Sequence, residues 1–382
     1  MRNIYLSYNN ILSSLGFNSE TVVDAIMDEK SGIELIEDTS LSHYPFFASV
    51  VNKEKLETSG KSLKLDDNFT RLEKMMLLSL NEVIKKSNIP LNEKVALIIS
   101  TTKGNIDVLQ TNSKFPKERA YLSVLGKLIK EFFEFKNETI IVSNACVSGL
   151  LAISIAKRYI QQGIYDDVFI VSGDLLSEFV LSGFNSFQAL SNEPCKPYSI
   201  NRSGINLGEV GASVLVTSNK QKLAKESVEL LGEASCNDAN HISGPSRTGE
   251  GLYRSIKKAL EESELNRNDI DYISAHGTAT PFNDEMEAVA FNRLALQKIP
   301  MNSFKGYFGH TLGASGLLET IIGMHSLHRN MLFASAGFEI LGVSKPINVI
   351  TKTTEKNLDI FLKTASGFGG CNTASIFKKV SK

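Results

Sequence analysis

An α/β fold with a largely parallel sheet is predicted by two regular features of the sequence, short apolar runs and the helical segments between them. The apolar runs are rich in β-branched residues, as strands are when helices cover both faces of a sheet. They occupy residues 95–100, 139–143, 167–172, 212–217, 271–275 and 358–364. The segments between them repeat apolar residues with helical period, at residues 71–86, 147–162, 252–262, 284–297 and 316–329. Strands that alternate with helices in this way predict a mostly parallel sheet.

The composition is that of an ordinary globular protein. The 382 residues are 42% hydrophobic and 22% charged, which argues against a disordered chain. Lysine and arginine total 41 against 42 acidic residues, so the net charge of −1 gives no reason to expect nucleic acid or an anionic membrane as partner. No run approaches the roughly 20 apolar residues that cross a bilayer, and the first ten residues lack the apolar core of a signal peptide. We therefore expect a cytoplasmic protein.

The cysteines give no sign of a disulfide framework or a zinc site. They lie far apart, with no CxxC pair, at Cys146, Cys195, Cys236 and Cys371. Free thiols fit a reducing compartment.

A polar, lysine-containing segment at residues 217–227 follows a predicted strand and divides the chain into two stretches of comparable architecture. A length prior of roughly 100–200 residues per domain makes this chain two or three domains, or one duplicated unit. We predict an N-terminal half at residues 1–220 and a C-terminal half at residues 221–382. No identity between the halves is visible, so the duplication is predicted from the pattern of elements alone.

Cys146 is the candidate nucleophile. It lies where an apolar strand passes through Ser143 and Asn144, both good helix caps, into an apolar helix. In the first turn of that helix, the helix dipole and unpaired N–H groups would favour the thiolate and could stabilise an oxyanion. The alternative is a small buried cysteine at the end of a strand.

Two histidines and a lysine lie in glycine-rich loops of the second half. His276 follows a predicted strand and precedes a Gly-Thr-Ala-Thr turn, at a strand end where ligands of α/β folds bind. Lys305 and His310 lie in the loop at residues 302–316, which lacks the spacing of a phosphate-binding loop. Neutral imidazole N–H groups can bond a thioester oxygen as it becomes an enolate, so the set suits acyl chemistry. The alternatives are a locally bonded His276 and a surface Lys305.

The other histidines and cysteines give weaker signals. His325 and His328 are three residues apart on a predicted helix, which without a further ligand is poor evidence for a metal. His43 and His241 are left as structural or unassigned. Cys195, Cys236 and Cys371 are interpreted as core or loop thiols, although Cys371 lies in a loop that could belong to the site.

Taken together and in order, these motifs resemble those of the β-ketoacyl-acyl-carrier-protein synthases I/II, within the thiolase superfamily. The nucleophile motif of that family resembles residues 145–149 (ACVSG), and its HGTxT motif matches residues 276–280. Its SxKxxxGHxxGAxG motif matches residues 303–316 at every position, and its GFGG loop matches residues 367–370. The similarity begins at residues 11–16 (ILSSLG) and covers essentially the whole chain.

The resemblance implies a five-layer αβαβα thiolase fold of two pseudo-duplicated halves. It implies a β-ketoacyl-acyl-carrier-protein synthase that extends an acyl chain by decarboxylative Claisen condensation, in fatty-acid or polyketide and polyene-type elongation. Cys146 would hold the acyl group as a thioester. His276 and His310 would support decarboxylation of malonyl-carrier protein and stabilise the enolate. Synthases of type III have Asn in place of the second histidine and thiolases use a second cysteine, so His310 argues against both classes.

The resemblance also implies supporting residues. Lys305 and Glu287 would form a polar pair, and the backbone N–H groups of Cys146 and Phe368 would form the oxyanion hole. The Phe368 ring would act as a gate. The substrate-binding residues would be Thr278 and Thr280 near the phosphopantetheine arm, Phe184 in the acyl tunnel, and Gly369.

The implied partner is an acyl carrier protein whose phosphopantetheine carries the substrates, with no cofactor and no metal. A homodimer is expected, or a heterodimer with a related synthase or a chain-length-factor subunit. Two further functions stay open. A non-catalytic chain-length-factor subunit would typically lack the cysteine that is present here. An acyl-CoA-using transferase of the same fold would not decarboxylate malonyl-carrier protein.

The sequence departs from the family in places that bear on the substrate. Ser199 and Ser203 stand where Asp is common, and Ser366 stands where many members have Phe. Residues 104–138 are shorter than the family's corresponding region, which helps to build the dimer interface and the pocket wall. Acyl length and dimer geometry are therefore left open.

Overall fold

The computed structural model describes residues 2–239 and 244–380, and every predicted strand and helix named above forms close to its predicted bounds. The strands are β1 (Tyr5–Leu12), β2 (Glu34–Ile36), β3 (Phe46–Ser49), β4 (Val95–Ser100), β5 (Ile140–Val142), β6 (Asp167–Asp174), β7 (Leu207–Gly208), β8 (Val210–Thr217), β9 (Val228–Asn237), β10 (Tyr272–Ser274), β11 (Pro300–Asn302), β12 (Met331–Leu332), β13 (Asn348–Val349), β14 (Thr354–Glu355), β15 (Ile360–Gly367) and β16 (Cys371–Lys379). The helices are α1 (Ser19–Met27), α2 (Lys53–Gly60), α3 (Arg71–Ser87), α4 (Leu122–Phe133), α5 (Ser148–Gln161), α6 (Glu178–Ser186), α7 (Glu250–Glu262), α8 (Pro281–Arg293), α9 (Lys305–Phe308) and α10 (Ser315–Arg329).

The main sheet of the described residues contains the same strand arrangement twice. In the first stretch the order is β5-β4-β6-β8-β1, and in the second it is β11-β10-β15-β16-β9, with β13 added beyond β11. In the first set, β4 is parallel to β5 and β6, and β8 is antiparallel to β6 and β1. In the second set, β10 is likewise parallel to β11 and β15, and β16 is antiparallel to β15 and β9. A short pairing of β1 with β9, at Tyr5–Glu229 and Leu6–Val228, joins the two sets. This repeated topology agrees with two pseudo-duplicated halves, while the division at residues 220 and 221 stays a prediction.

Helices cover both sides of each set of strands. Leu150 of α5 and Leu317 of α10 share one core with Ile98 of β4 and Phe361 of β15, so these two helices lie between the sets. On the outer side of the first set, α3 packs against Leu97 and Ile99, the neighbours of Ile98. On the outer side of the second set, α7 packs against β9 and β16. The layers therefore run αβαβα, and the α/β fold class predicted from the sequence is confirmed.

The apolar runs of the sequence are explained by these layers. Ile98 faces the central helices whereas Leu97 and Ile99 face α3, so no residue of the strand meets water. None of the helices among the described residues combines the length and the apolar character that a membrane span requires.

Candidate active site

Cys146 lies in a tight turn between β5 and α5. Ala145 has a φ of 43°, in the left-handed region that L residues rarely adopt, and this turns the chain sharply before the cysteine. The capping role predicted for Ser143 and Asn144 is wrong, because α5 begins later, at Ser148, and its cap residue makes no side-chain cap bond. The backbone N–H of Asn144 instead donates to the Ser148 hydroxyl (2.8 Å), which fixes the turn. Cys146 therefore precedes the first helical turn.

The thiol of Cys146 is buried, with 8% of the residue exposed. Burial raises its pKa to about 11, although the charges of Lys305 and Lys103 act in the opposite direction. A backbone N–H group favours the thiolate as predicted, but removal from water outweighs it and the nearby positive charges, so the thiol form is favoured. The backbone N–H of Phe368 donates toward the sulfur, which is one of the two oxyanion-hole donors expected from the sequence.

His276 is held by residues on both sides of its loop. The Glu287 carboxylate, in the second turn of α8, accepts the backbone N–H groups of His276 (2.9 Å) and Gly277 (2.7 Å). The Lys305 ammonium lies 2.6 Å from the His276 carbonyl oxygen and 3.3 Å from its Nδ1 atom. Because an ammonium can only donate, Nδ1 is the acceptor, and the ring proton is on Nε2.

His310 is positioned by the turn that precedes α10. Its backbone N–H donates to the Asn206 carbonyl (2.7 Å), and its Nδ1 atom lies 2.8 Å from the Ser315 hydroxyl. A hydroxyl can donate or accept, so Ser315 supports either tautomer of this ring. The Nε2 atom has no hydrogen-bond partner among the described residues, although it is buried.

Both imidazoles are held neutral. Burial lowers the pKa of His276 and of His310 well below the usual value, and the Lys305 ammonium lowers both further. Neutral rings are the form that donates one N–H bond and keeps one lone pair.

A buried carboxylate and two buried ammonium groups lie behind the histidines. Glu319, one turn into α10, accepts from Lys305 at 2.8 Å and lies 2.6 Å from the Nζ atom of Lys363 in β15. The predicted pair of Lys305 with Glu287 is therefore wrong. Glu287 is engaged by the loop of His276 and by the Tyr198 hydroxyl (2.9 Å), whereas Glu319 projects from α10 toward the lysine. We call Lys305, Glu319 and Lys363 the charged triad.

Sequence reasoning missed Glu319 and Lys363, although a signal for each was present. Each is a single charged residue in an otherwise apolar stretch, LLETII in α10 and IFLKTA in β15. A charge on a buried face needs a partner, and two such charges of opposite sign predict a pair.

One cavity of about 570 Å³ brings the predicted residues together. Its lining includes Cys146, His276, His310, Thr278, Thr280, Phe184 and Phe368. Lys305 and Glu287 lie behind the histidines rather than in the lining. Gly369 does not line the cavity either, so its predicted contact with substrate is not supported. Its φ of 80° instead makes it the turn residue of the loop.

Aromatic rings form one wall of the cavity. The rings of Phe184 and Phe368 are stacked with centroids 5.8 Å apart, and Phe187 meets Phe368 edge-on at 5.4 Å. Phe368 is 38% exposed, which leaves its ring only partly enclosed. The hydroxyls of Thr278 and Thr280, 2.8 Å apart, contribute to the polar part of the lining.

Two of the remaining histidines and two of the remaining thiols have local partners. His325 bonds Asn9 (3.1 Å), and His328 bonds the Ser227 carbonyl (2.8 Å). Among the residues that the structure describes, no group of three or more potential ligands could hold a metal ion. Cys195 donates to the Lys305 carbonyl (3.2 Å), and Cys371 donates to Asn144 (3.0 Å) beside the Cys146 turn. His241 lies outside the described residues.

Comparison with known proteins gives matches along most of the chain. Residues 11–222 match the family model of the beta-ketoacyl synthase N-terminal domain, and residues 228–339 match that of the C-terminal domain. A 3-oxoacyl-[acyl-carrier-protein] synthase 2 of Coxiella burnetii is 26% identical over 99% of this chain and 99% of its own length. One of Rhizobium meliloti is 32% identical over 62% of this chain, and that alignment spans 60% of the relative's length.

A similar fold occurs in a solved structure, the ketosynthase ApeO in complex with its chain length factor ApeC from Xenorhabdus doucetiae. The TM-score is 0.88 and the identity 24%, over 99% of this chain and 98% of the matched chain.

Proposed function

Because the chain belongs to the β-ketoacyl synthase family, we propose that it is a β-ketoacyl-acyl-carrier-protein synthase that works by decarboxylative Claisen condensation. The observation that carries the proposal is the single cavity lined by Cys146, His276 and His310. The family relatives named 3-oxoacyl-[acyl-carrier-protein] synthase support the same reaction. The product would belong to fatty-acid or polyketide-type chain elongation.

In the first half-reaction, the sulfur of Cys146 attacks the thioester carbonyl of an acyl-carrier protein. Because the thiol is protonated at neutral pH, it needs a base, and the unpartnered Nε2 atom of His310 is suited to accept its proton. Nδ1–H then donates to the Ser315 hydroxyl. The Phe368 N–H stabilises the tetrahedral oxyanion. The carrier's phosphopantetheine thiol leaves with the proton, and the acyl group remains on Cys146.

In the second half-reaction, malonyl-carrier protein loses CO₂, and the electron pair of the broken C–C bond moves onto the thioester as an enolate. Between the half-reactions, His310 exchanges its ring proton with solvent, losing one at Nδ1 and gaining one at Nε2, so that Ser315 then donates to Nδ1. The Nε2–H groups of His276 and His310 bond the enolate oxygen. The enolate carbon attacks the acyl carbonyl, a new C–C bond forms, and the Cys146–acyl bond breaks. The thiolate that leaves takes one proton from water, so each cycle consumes one proton.

We propose an acyl carrier protein as the partner and no resident cofactor, since the phosphopantetheine arm brings both substrates. Thr278 and Thr280 would contact that arm, and Phe184 and Phe368 would enclose the acyl chain. The protein would be a homodimer, or a heterodimer with a related subunit, as ApeO is with its chain length factor. Gel filtration of the protein alone tests self-association.

The function is tested with acyl-carrier proteins of several chain lengths followed by malonyl-carrier protein. Mass spectrometry should find an acyl adduct on Cys146, and the second substrate should convert it into a β-ketoacyl-carrier protein. Cys146→Ala should lose condensation while part of the malonyl decarboxylation remains. Cys236→Ala, which removes a partly buried thiol outside the cavity lining, is the matched control and should behave as wild type. An unmodified Cys146, or turnover with acetyl-CoA alone, would overturn the proposal.

A further inference from the structure

Lys363 is a fully buried lysine on the apolar face of β15. In β15 the side chains of Phe361, Lys363 and Ala365 lie on the same face of the strand, because side chains two residues apart point to the same side. Phe361 and Ala365 belong to the central core with α10. Lys363 is 0% exposed between them. An ammonium in such a place is costly unless every donor is bonded.

The Lys363 ammonium is surrounded by oxygen atoms. Its Nζ atom lies 2.6 Å from the Glu319 carboxylate and 2.7 Å from the Thr364 carbonyl. The carbonyls of Ser274 and Ala275 lie at 3.2 and 3.3 Å. All of these neighbours are hydrogen-bond acceptors, so the nitrogen lone pair of a neutral Lys363 amine would face an oxygen lone pair, which is unfavourable. Although burial lowers the pKa of Lys363, this oxygen shell favours the charged form.

These contacts connect Lys363 with the strand that leads to His276 and with Glu319 of α10. Ser274 is the last residue of β10, and Ala275 connects it directly to His276. Glu319 gives its other oxygen to Lys305, which bonds the carbonyl and the Nδ1 atom of His276. A carboxylate held by one lysine only can rotate, whereas Glu319 accepts a hydrogen bond from Lys305 at Oε1 and has the Lys363 ammonium in ion-pair contact with Oε2.

We propose that Lys363 is a positioning residue: it fixes Glu319 so that Lys305 stays against His276, and it keeps the charged triad net positive behind the two imidazoles. The proposal rests on the proposed function. It adds a role that the sequence motifs do not contain, since Lys363 lies outside all of them.

The net charge of the triad gives a readout that a packing role would not affect. Lys305 and Lys363 contribute +2 and Glu319 contributes −1, so the wild type carries +1 and Lys363→Met carries 0. The positive charge of Lys363 lowers the pKa of both His276 and His310. Its removal should therefore raise these pKa values toward their ordinary value, and the loss of activity in acid should begin at a higher pH. The titratable and charged groups around the two rings are Cys146, Lys103, Glu287, Lys305, Lys363 and each ring itself, with Glu319 behind Lys305.

The experiment compares wild type, Lys363→Met and Lys157→Met. Lys157 is a similarly buried lysine, 3% exposed, which pairs at 2.6 Å with the partly exposed Glu262 outside the cavity lining, and it controls for the loss of a buried ammonium group. Each protein is assayed for acylation of Cys146 by mass spectrometry, and for kcat and KM of malonyl-carrier protein decarboxylation over pH 5–9.

Lys363→Met should keep acylation of Cys146, which also shows that the protein is folded. Its kcat for decarboxylation should fall by roughly 10- to 100-fold with KM little changed, because misplacement of a catalytic group by about 1 Å costs this much. The fall of its decarboxylation rate at low pH, the acid limb of the pH profile, should move to higher pH. Lys157→Met should match wild type in all of these.

Two results overturn the inference. One is a Lys363→Met variant with wild-type kcat and an unmoved acid limb. The other is an equal loss in the Lys157→Met control. If Lys363→Met does not fold, the double variant Lys363→Met/Glu319→Gln, whose triad charge is again +1, should show the acid limb of the wild type with a reduced kcat, and a wild-type kcat in it would overturn the inference. Failure of the wild type itself to decarboxylate malonyl-carrier protein would instead refute the proposed function.

Discussion

The imidazole rings of His276 and His310 meet edge to face, with centroids 5.3 Å apart and planes at 82°. His276 comes from the end of β10, and His310 from the turn before α10. Two rings this close cannot both become charged at ordinary pH, because each would repel the other in a buried site. The arrangement therefore favours two neutral rings that act on one substrate oxygen.

Decarboxylation of malonyl-carrier protein should stay active into mildly acidic solution. The pKa of each histidine lies well below its ordinary value of 6.5, so the neutral, working form persists as the pH falls through 6.5. The rate of CO₂ release, measured from pH 8 to pH 5, should be flat through 6.5 and fall only below it. A midpoint for activity loss at or above pH 6.5 would contradict the conclusion that His276 and His310 are neutral.

The Cys146 thiol should react slowly with alkylating agents at neutral pH. Because burial raises its pKa to about 11, the thiolate fraction should still increase between pH 8 and pH 10. The rate of iodoacetamide modification, followed by mass spectrometry, should therefore rise by about tenfold per pH unit over this range. A rate that reaches its plateau by pH 8 would show that the thiolate is already stable in the free protein.

Much of the fold could be predicted because its elements have strong local signals. Strands such as β4 are buried on both faces, and their continuous apolar runs mark them clearly. The long helices α3, α5 and α10 show the helical period. The positions of Cys146 and His276 at turns after strands, and of His310 in a loop before a helix, could be expected for the same reason.

The contacts between distant residues could not be predicted in this way. Whether Lys305 pairs with Glu287 or Glu319 depends on how α8 and α10 are oriented, and the spacing of residues along the chain does not encode this. The raised pKa of Cys146 depends on how completely the surrounding layers exclude water. The strand arrangement occurs twice without visible sequence identity, because many apolar residues can fill equivalent core positions.

Glu287→Gln should destabilise the loop that carries His276. The carboxylate is buried and accepts two backbone N–H groups, and hydrogen bonds to a charged group contribute about 1.5–3 kcal/mol. The urea midpoint should fall, and decarboxylation should weaken as well. Glu285→Gln, on the same helix but partly exposed and bonded to Ser344, is the control and should change stability much less. Equal shifts in the two variants would contradict a special role for Glu287.

Phe184→Ala should shift the preferred acyl chain toward greater length. Phe184 lines the cavity and stacks on Phe368, so its removal opens space where an acyl chain would end or turn. Acylation of Cys146 by a series of acyl-carrier proteins measures the preference. Phe179→Ala lies on the same helix, but Phe179 is exposed and outside the cavity lining, so this control should leave the preference unchanged. An unchanged preference in Phe184→Ala would show that the acyl chain runs elsewhere.

Gly316→Ala should reduce activity by separating the helices that carry the two sides of the site. A Cβ atom on Gly316 would lie 2.6 Å from the backbone nitrogen of Leu150, and one on Gly149 would lie 2.7 Å from that of Leu317. Helices α5 and α10 thus approach backbone to backbone at these glycines, which lie three residues after Cys146 and six residues after His310. A methyl group here must push the helices apart, which typically costs about 1–3 kcal/mol. Gly183→Ala is the matched control, because its Cβ would meet nothing within 4 Å and alanine favours a helix by up to about 1 kcal/mol. The thermal unfolding temperature and the rate of condensation should both fall for Gly316→Ala and not for Gly183→Ala. An active, stable Gly316→Ala variant would show that the close approach is not required.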